Sequence, residues 1–91
     1  MRITLQIPRI LQRYHRAGED LAFDAADVHL LLQQLKQSNP AVYQCLCDET
    51  GQVRRHIHLF VNDTFVDPQR GLQVPLCDGD IVSVFQAVSG G

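Results

Sequence analysis

The residues most clearly suited to a chemical reaction are the last two of the 91, Gly90 and Gly91. They follow a strand-like apolar run from Ile81 to Phe85. Because glycine has no Cβ, a glycine pair adopts extended or positive-φ conformations and fits a channel too narrow for other side chains. A free α-carboxylate on such a tip is a handle that an ATP-using enzyme can reach. We therefore expect Gly91 to be a reactive terminus, with Gly90 giving clearance around it.

A second group of chemistry-bearing residues consists of two cysteines and two histidines, each pair spaced by two. They are Cys45, Cys47, His56 and His58. Residues two apart on a strand share a face, so strands over 42–47 and 53–61 would place all four on one side of a hairpin. This is a zinc ligand set, but the spacing is not that of a zinc finger and a flat sheet does not readily give a tetrahedron. We favour a solvated polar face without a bound metal.

The cysteine count and the charge balance narrow the class of protein. Three cysteines, an odd number, argue against a secreted disulfide framework and favour a cytoplasmic protein with reduced thiols. Cys45, Cys47 and Cys77 also fail the number and spacing of a plant-type ferredoxin. With a net charge of −2 and no apolar run of spanning length, we expect neither nucleic acid nor a membrane as a partner.

A single small domain must position these residues, and 91 residues of which 45% are hydrophobic suffice for one core. Alternation over residues 2–8 predicts a half-buried strand that Pro8 stops, and residues 21–23 predict a short second strand. The polar stretch between them, Arg9 to Glu19, predicts a long turn.

One amphipathic helix is predicted after the second strand. Its buried face has the spacing i, i+3, i+4, i+7. The residues on that face are Val28, Leu31, Leu32 and Leu35. Asp24, three residues before Asp27, predicts an N-terminal capping box with a shorter acid. The run Ser38-Asn39-Pro40 predicts the end of the helix.

Further strands complete the predicted sheet. Residues 42–47 and 53–61 predict a hairpin around a glycine-containing loop. A turn at Asn62-Asp63 and a short segment at 64–66 follow it. A turn at Asp78-Gly79-Asp80 precedes the last strand, 81–85. The predicted order is β-β-α-β-β-β, a mixed sheet with one main helix on one face, which is an α+β fold.

Aromatic and basic residues on the predicted hairpin form a candidate docking surface. Phe60 should face away from the helix, and an exposed aromatic on a sheet fits a partner-docking spot. The candidates are Phe60, Phe65 and His58, with Arg54 and Arg55 able to steer an acidic partner. The alternatives are that Phe60 fills a covered second face and that the arginines form a solvated edge.

Four segments carry a family resemblance. They are ITLQIPRIL (3–11), CDETGQVRRHI (47–57), HIHLFVND (56–63) and PLCDGDIVSVFQAVSGG (75–91). Together they resemble the ubiquitin-like small sulfur carriers of the ThiS/MoaD type, and most of all the branch that supplies sulfur for cysteine synthesis. Two positions depart from the pattern: Gln86 stands where many members have proline, and Gly18 stands alone where the cysteine branch has a glycine pair.

The resemblance implies a β-grasp fold in one domain, 1–91, with a Gly-Gly tail at about 87–91. It implies that a ubiquitin-activating-like enzyme adenylates Gly91, which then becomes a thiocarboxylate that donates sulfur. Ala87, Val88 and Ser89 would line the tail before its tip. The chain would be a carrier and co-substrate, not an enzyme. It would bind no cofactor, since the ATP is used by the activating enzyme.

The resemblance also implies partners. These are the adenylating enzyme, a sulfur donor (a persulfide protein or sulfide), a sulfur-accepting enzyme such as a cysteine-synthase-like one, and a metallopeptidase that trims carriers. The leading recipient is cysteine or a related thio-metabolite, for example a siderophore. The small subunit of molybdopterin synthase is the alternative, and thiamine fits less well because the chain is long for that carrier. An alternative of another class is a ubiquitin-like modifier or interaction module, joined through an isopeptide at Gly91.

Overall fold

Five strands and two helices make up the described part of the chain. The computed structural model describes residues 2–7, 20–67 and 72–86. The elements are β1 (Ile3–Gln6), β2 (Leu21–Phe23), α1 (Val28–Ser38), α2 (Pro40–Leu46), β3 (Ile57–Val61), β4 (Thr64–Val66) and β5 (Ile81–Gln86). The strands form one sheet in the order β2-β1-β5-β3-β4, in which only β1 and β5 are a parallel pair. This arrangement confirms the predicted β-grasp.

One face of the sheet is buried against the helices. Ile3 of β1 and Val82 of β5 are fully buried, as expected from alternation along each strand. In β3, Ile57 and Leu59 are buried and Val61 packs against the same core. The residues between them therefore lie on the opposite face, which no helix covers in the described part of the chain and which we call the open face.

Helix α1 confirms the predicted helix but begins later than its predicted cap. All four residues of the predicted buried face are buried. The N-cap is Asp27, whose carboxylate accepts a hydrogen bond from the Leu30 N–H at 2.8 Å. The predicted cap at Asp24 is wrong because the helix begins only at Val28. The Asp24 carbonyl instead accepts a bond from Gln34 Nε2 at 2.6 Å.

The predicted strand at 42–47 is wrong, because a second helix, α2, occupies this part of the chain. Proline is favoured at the first helical position, where its missing N–H would have no partner. Pro40 therefore begins α2, and Asn39 caps both helices, accepting a bond from the Val42 N–H at 3.4 Å. The buried face of α2 consists of Val42, Tyr43 and Leu46.

Because of α2, the predicted hairpin shrinks to a single bridge between Cys47 and Val53, and β3 begins only at Ile57. The loop between them is organised by Asp48. Its carboxylate accepts bonds from the Thr50 hydroxyl at 2.6 Å and the Thr50 N–H at 2.9 Å. The Thr50 hydroxyl foremost, with backbone N–H donors of the loop, holds the pKa of Asp48 below its usual value.

The turn before β5 confirms the predicted one and is tied to a neighbouring turn. Gly79 has a φ of 89°, a conformation that favours glycine. The Asp80 carboxylate accepts bonds from the Cys77 N–H at 2.8 Å and from Asn62 Nδ2 at 3.1 Å. Asn62, in the β3–β4 turn, accepts from the Ile81 N–H at 3.1 Å. These contacts fix the start of β5, and the bond from Cys77, followed by that from Asn62, lowers the pKa of Asp80.

Two further predictions bear on the rest of the chain. The turn predicted at Arg9–Glu19 lies outside the described residues. In the part of the chain that the structure describes, no helix combines the length and apolar character needed to cross a bilayer.

Candidate functional site

The end of β5 is the root of the predicted tail. β5 is the middle strand of the sheet, with β1 on one side and β3 on the other. Its last residue, Gln86, is opposite Ile57, the first residue of β3. The predicted tail residues Ala87 to Gly91 lie outside the described residues. The surfaces around Gln86 therefore define the described part of the candidate site.

Four aromatic rings from three adjacent strands meet on the open face beside this end. They are His58 and Phe60 of β3, Phe65 of β4 and Phe85 of β5, which we call the aromatic patch. The ring centroid of Phe60 lies 5.3 Å from that of Phe85 and 5.6 Å from that of Phe65. His58 lies 5.8 Å from Phe65, and all three pairs are edge-to-face. Each pair of this kind contributes about 0.5–1.5 kcal/mol beyond its buried area, so the rings hold one another in place.

The strand register brings these rings together. Phe60 pairs with Phe65 across β3 and β4, and His58 pairs with Phe85 across β3 and β5. All four alternate with core residues along their strands, which sends them to the open face. The prediction that Phe60 faces outward is confirmed, whereas the docking role of the patch stays a prediction.

The patch remains open to solvent in the described structure. Phe85 is 56% exposed and Phe65 is 49% exposed. Full burial of a phenylalanine side chain contributes about 1.5–3 kcal/mol, so the fold leaves stabilisation unused at both rings. An exposed apolar cluster on a small protein is typical of a partner-binding surface.

The predicted docking set omits Phe85, although the sequence carried the signal. The predicted last strand alternates, and its apolar residues Val82 and Val84 can only face the core if Phe85 faces away from it. The structure buries both valines and exposes Phe85. Phe85 is thus the patch residue nearest in sequence to the tail.

The two predicted steering arginines differ in their surroundings. Arg54 Nε donates a hydrogen bond to the Gln44 carbonyl at 2.8 Å, which holds its side chain against α2. The exposed side chain of Arg55 makes no hydrogen bond or ion pair with a described residue. Both line a groove of about 940 Å³ that also reaches His58 and Phe65.

The predicted common face of two cysteines and two histidines is wrong, because 42–47 is not a strand. Cys45 lies in α2, and Cys47 caps its C-terminus and is 1% exposed. His56 lies in the turn before β3, while His58 joins the aromatic patch. Within residues 2–7, 20–67 and 72–86, no three histidine, cysteine, aspartate or glutamate side chains form a group suited to a metal ion.

The buried thiol of Cys47 is unreactive as a nucleophile. Burial raises its pKa to about 11, an effect that a hydrogen bond with Tyr43 only partly offsets. Since the thiolate is the nucleophilic form, Cys47 is a protonated core side chain at neutral pH. Cys77, in contrast, is a free and exposed thiol in the turn before β5.

Gln86 carries an unusual polar atom at the root of the tail. Strand alternation turns its side chain toward the core, and its Oε1 is buried without a hydrogen-bond partner in the described structure. A buried acceptor without a donor costs about 1–3 kcal/mol. The strand therefore ends on a residue whose hydrogen bonding is incomplete.

Comparison with known sequences assigns this chain to a family. A model of the ThiS family matches residues 10–91. The sulfur carrier protein CysO of Mycobacterium tuberculosis is 31% identical to the chain over 94 residues, an alignment that covers 100% of both proteins.

Solved structures agree with this assignment. A chain of the BexX/CysO complex of Amycolatopsis orientalis matches with a TM-score of 0.83 and 27% identity, covering 98% of this chain and 99% of that one. SAMP1 of Haloferax volcanii matches with a TM-score of 0.82 over 100% of both chains, and its 21% identity shows likeness of fold alone. The chain belongs to the ThiS family and is a sulfur carrier of the ThiS/CysO type.

Proposed function

We propose that the chain carries sulfur as a thiocarboxylate on Gly91 and delivers it for the synthesis of cysteine or a related thio-metabolite. The observation that carries this proposal is the position of the tail's root, at the end of the middle strand and beside an exposed aromatic patch. Membership of the ThiS family supports sulfur as the cargo. The identity with CysO supports cysteine as the destination.

The proposed chemistry begins at the carboxylate, which is a poor electrophile because of its charge and resonance. A carboxylate oxygen of Gly91 attacks the α-phosphorus of ATP, and pyrophosphate leaves. Hydrosulfide then attacks the acyl carbon of the adenylate, and AMP leaves with the carboxylate oxygen. The product is a thiocarboxylate, whose sulfur is nucleophilic as thiolates are. Sulfur thus stays bound to a protein between the two enzymes.

In this proposal the folded body presents the tail and supplies no catalytic group. The activating enzyme binds and uses the ATP, so the carrier is a co-substrate that holds no cofactor. Partner enzymes recognise the aromatic patch, since Phe60, Phe65 and Phe85 stand exposed or half-exposed next to the tail's root. The CysO of Amycolatopsis orientalis has been solved in complex with BexX, which supports docking of such a carrier onto a partner protein.

The decisive test is mass spectrometry of the intact chain after incubation with the cognate activating enzyme, ATP and sulfide. We expect one oxygen to be replaced by one sulfur, and fragmentation should place the change at Gly91. A chain shortened by Gly91 should show no exchange. The matched control is Cys77→Ser, which removes an exposed thiol that polysulfide, formed when sulfide is oxidised, converts to a persulfide as the polysulfide leaves one sulfur shorter. This variant should exchange as the wild type does.

Two outcomes would contradict the proposal. One is sulfur incorporation that survives removal of Gly91 but disappears in Cys77→Ser, which would locate the sulfur on a cysteine. The other is an isopeptide between Gly91 and a lysine of another protein without any thiocarboxylate, which would indicate a protein modifier.

A further inference from the structure

The groove beside the tail's root carries more positive than negative side chains among its described lining residues. It lies between the loop before β3, the first turn of α1 and the segment that follows residue 71. Among the described residues that line it are two arginines, Arg54 and Arg55, one carboxylate, Asp67, and the imidazoles of His29 and His58. The whole chain carries a net charge of −2, so this groove opposes the sign of the molecule. We call it the basic groove.

Within the basic groove, Arg55 is the cation available to a partner. Arg54 is held by the Gln44 carbonyl and also lies close enough to Asp48 to lower the pKa of that carboxyl. Arg55 is exposed and makes no contact of this kind with a described residue. An arginine presents a planar fork of N–H donors that matches a carboxylate in two parallel hydrogen bonds.

The rest of the lining distinguishes an acidic protein segment from a phosphate. Apolar side chains of Val53, Ile57, Leu72 and Phe65 share the lining with the cations. A phosphate site gathers several donors around one point, often backbone N–H groups. Here two arginines share an open groove with these apolar side chains, which suits a segment that carries both carboxylates and apolar side chains.

The basic groove is continuous with the aromatic patch. His58 and Phe65 belong to both surfaces, and Ile57 in the groove lining pairs with Gln86 at the root of the tail. A protein seated on the patch therefore meets Arg55 at the same time. Complementary charge at the edge of an interface mainly accelerates association and selects the partner.

We propose that the basic groove binds an acidic segment of the activating enzyme, with Arg55 as the residue that selects it. This inference rests on the proposed function, because it assumes that an activating enzyme receives the tail. It adds a determinant of partner choice that lies on the folded body rather than in the small residues of the tail.

The test is the steady-state kinetics of ATP-dependent pyrophosphate release by the cognate activating enzyme, with the carrier as varied substrate. For Arg55→Gln we expect KM for the carrier to rise about five- to tenfold at low salt with kcat unchanged, because docking is weakened and the chemistry is not. The wild-type KM should rise with added salt, and that of the variant should rise much less. Arg55→Lys, which keeps the charge without the fork, should be intermediate.

The matched control is Arg2→Gln, which removes the same charge from an exposed arginine at the other end of β5. It should leave KM unchanged. An equal rise in both variants would overturn the inference in favour of a general charge effect, as would an unchanged KM in Arg55→Gln. A rise in KM for ATP instead of for the carrier would mean that the groove binds a phosphate. If the wild-type carrier supports no pyrophosphate release, the proposed function itself fails, which separates the two results.

Discussion

The two ends of β5 are held in opposite ways. At the start, side chains of Asp80 and Asn62 bond the preceding turn, the β3–β4 turn and the first residue of the strand. At the end, Phe85 is 56% exposed. The Oε1 atom of Gln86 is buried there and accepts no hydrogen bond from a described residue. The strand thus begins at a turn held by several side-chain hydrogen bonds and ends with an exposed aromatic ring and an unpaired buried oxygen.

This difference indicates that the start of β5 contributes to the stability of the fold, whereas its end is available to bind a partner. Sites that meet other proteins commonly give up local stabilisation that the rest of the fold supplies. The start of β5 is held by side-chain hydrogen bonds from two turns. Its end must stay available, since in the proposed function the tail leaves from it toward an enzyme.

The largest expected effect concerns binding at the exposed end. Phe85→Ala should raise KM for the carrier, in the reaction of the activating enzyme, by more than about tenfold, because aromatic side chains dominate interface energies. Ile81→Ala is the matched control. Ile81 is 37% exposed on the same face of the same strand, but at the other end. Steady-state kinetics with both variants checks the comparison, and equal effects would show that the two ends do not differ in docking.

The next effect concerns stability at the anchored end. Gly79→Ala should destabilise the fold by about 1–2 kcal/mol, since an L-residue is strained at a φ of 89°. No atom lies within 4 Å of the added Cβ, so the cost is conformational and not steric. For a domain of this size, the thermal midpoint should fall by roughly 4–16 °C. A midpoint unchanged from wild type would mean that this turn does not limit the stability of β5.

A smaller, opposite effect is expected at the tail's root. Gln86→Leu should raise the free energy of unfolding by up to about 1 kcal/mol, because it removes a buried acceptor that lacks a donor. Urea denaturation measures the change. The matched control, Gln6→Leu, alters an exposed glutamine whose Oε1 accepts from the Ser83 hydroxyl at 3.3 Å. A gain for Gln6→Leu and none for Gln86→Leu would contradict the account of the two ends.

The smallest effect is the pH dependence of the anchored end. Hydrogen bonds from Cys77 and Asn62 lower the pKa of Asp80 in the folded state. Its stabilisation is therefore present above the unfolded value, roughly pH 4, and is lost as the pH falls through the folded pKa. The gap in thermal midpoint between wild type and Asp80→Asn should be constant near neutral pH and close in acid. A gap that persists unchanged in acid would mean that these bonds do not favour the ionised carboxylate.

The sequence predicted the parts of the fold that depend on regular patterning. Alternation in β1, β3 and β5 and the four-residue apolar face of α1 each extend over enough residues to reveal their period. Gly79 likewise predicted the turn before β5, because few other residues adopt a positive φ at low cost.

The helix α2 could not be predicted with the same reasoning. It has only seven residues, too few to display a helical period, and it contains valine, tyrosine and cysteine, which suit a strand equally well. Pro40 was interpreted only as the end of α1, whereas it also begins α2. This single error produced the predicted metal-like face, since Cys45 and Cys47 share a side only on a strand.

The candidate site was predicted in part. Phe60, Phe65 and His58 meet as rings because cross-strand register pairs them, and the sequence does not give register directly. Phe85 followed from alternation but was omitted. Among the described residues, Arg54 is hydrogen-bonded and Arg55 is not, because Arg54 reaches the carbonyl of Gln44 in α2. The predicted strand at 42–47 did not place Gln44 in a helix.

The position of β5 between a parallel and an antiparallel neighbour has a mechanical consequence. Thr4, Leu5 and Gln6 lie opposite Ile81, Val82 and Ser83 across the parallel pair, and β3 pairs with β5 along the other side. A pull on the chain beyond Gln86 acts along the strand, across hydrogen bonds that lie perpendicular or slanted to it. The bonds on both sides are then loaded together, in shear, rather than opened one after another. In the proposed function, an enzyme that draws the tail into a narrow channel therefore loads the hydrogen bonds on both sides of β5 at once.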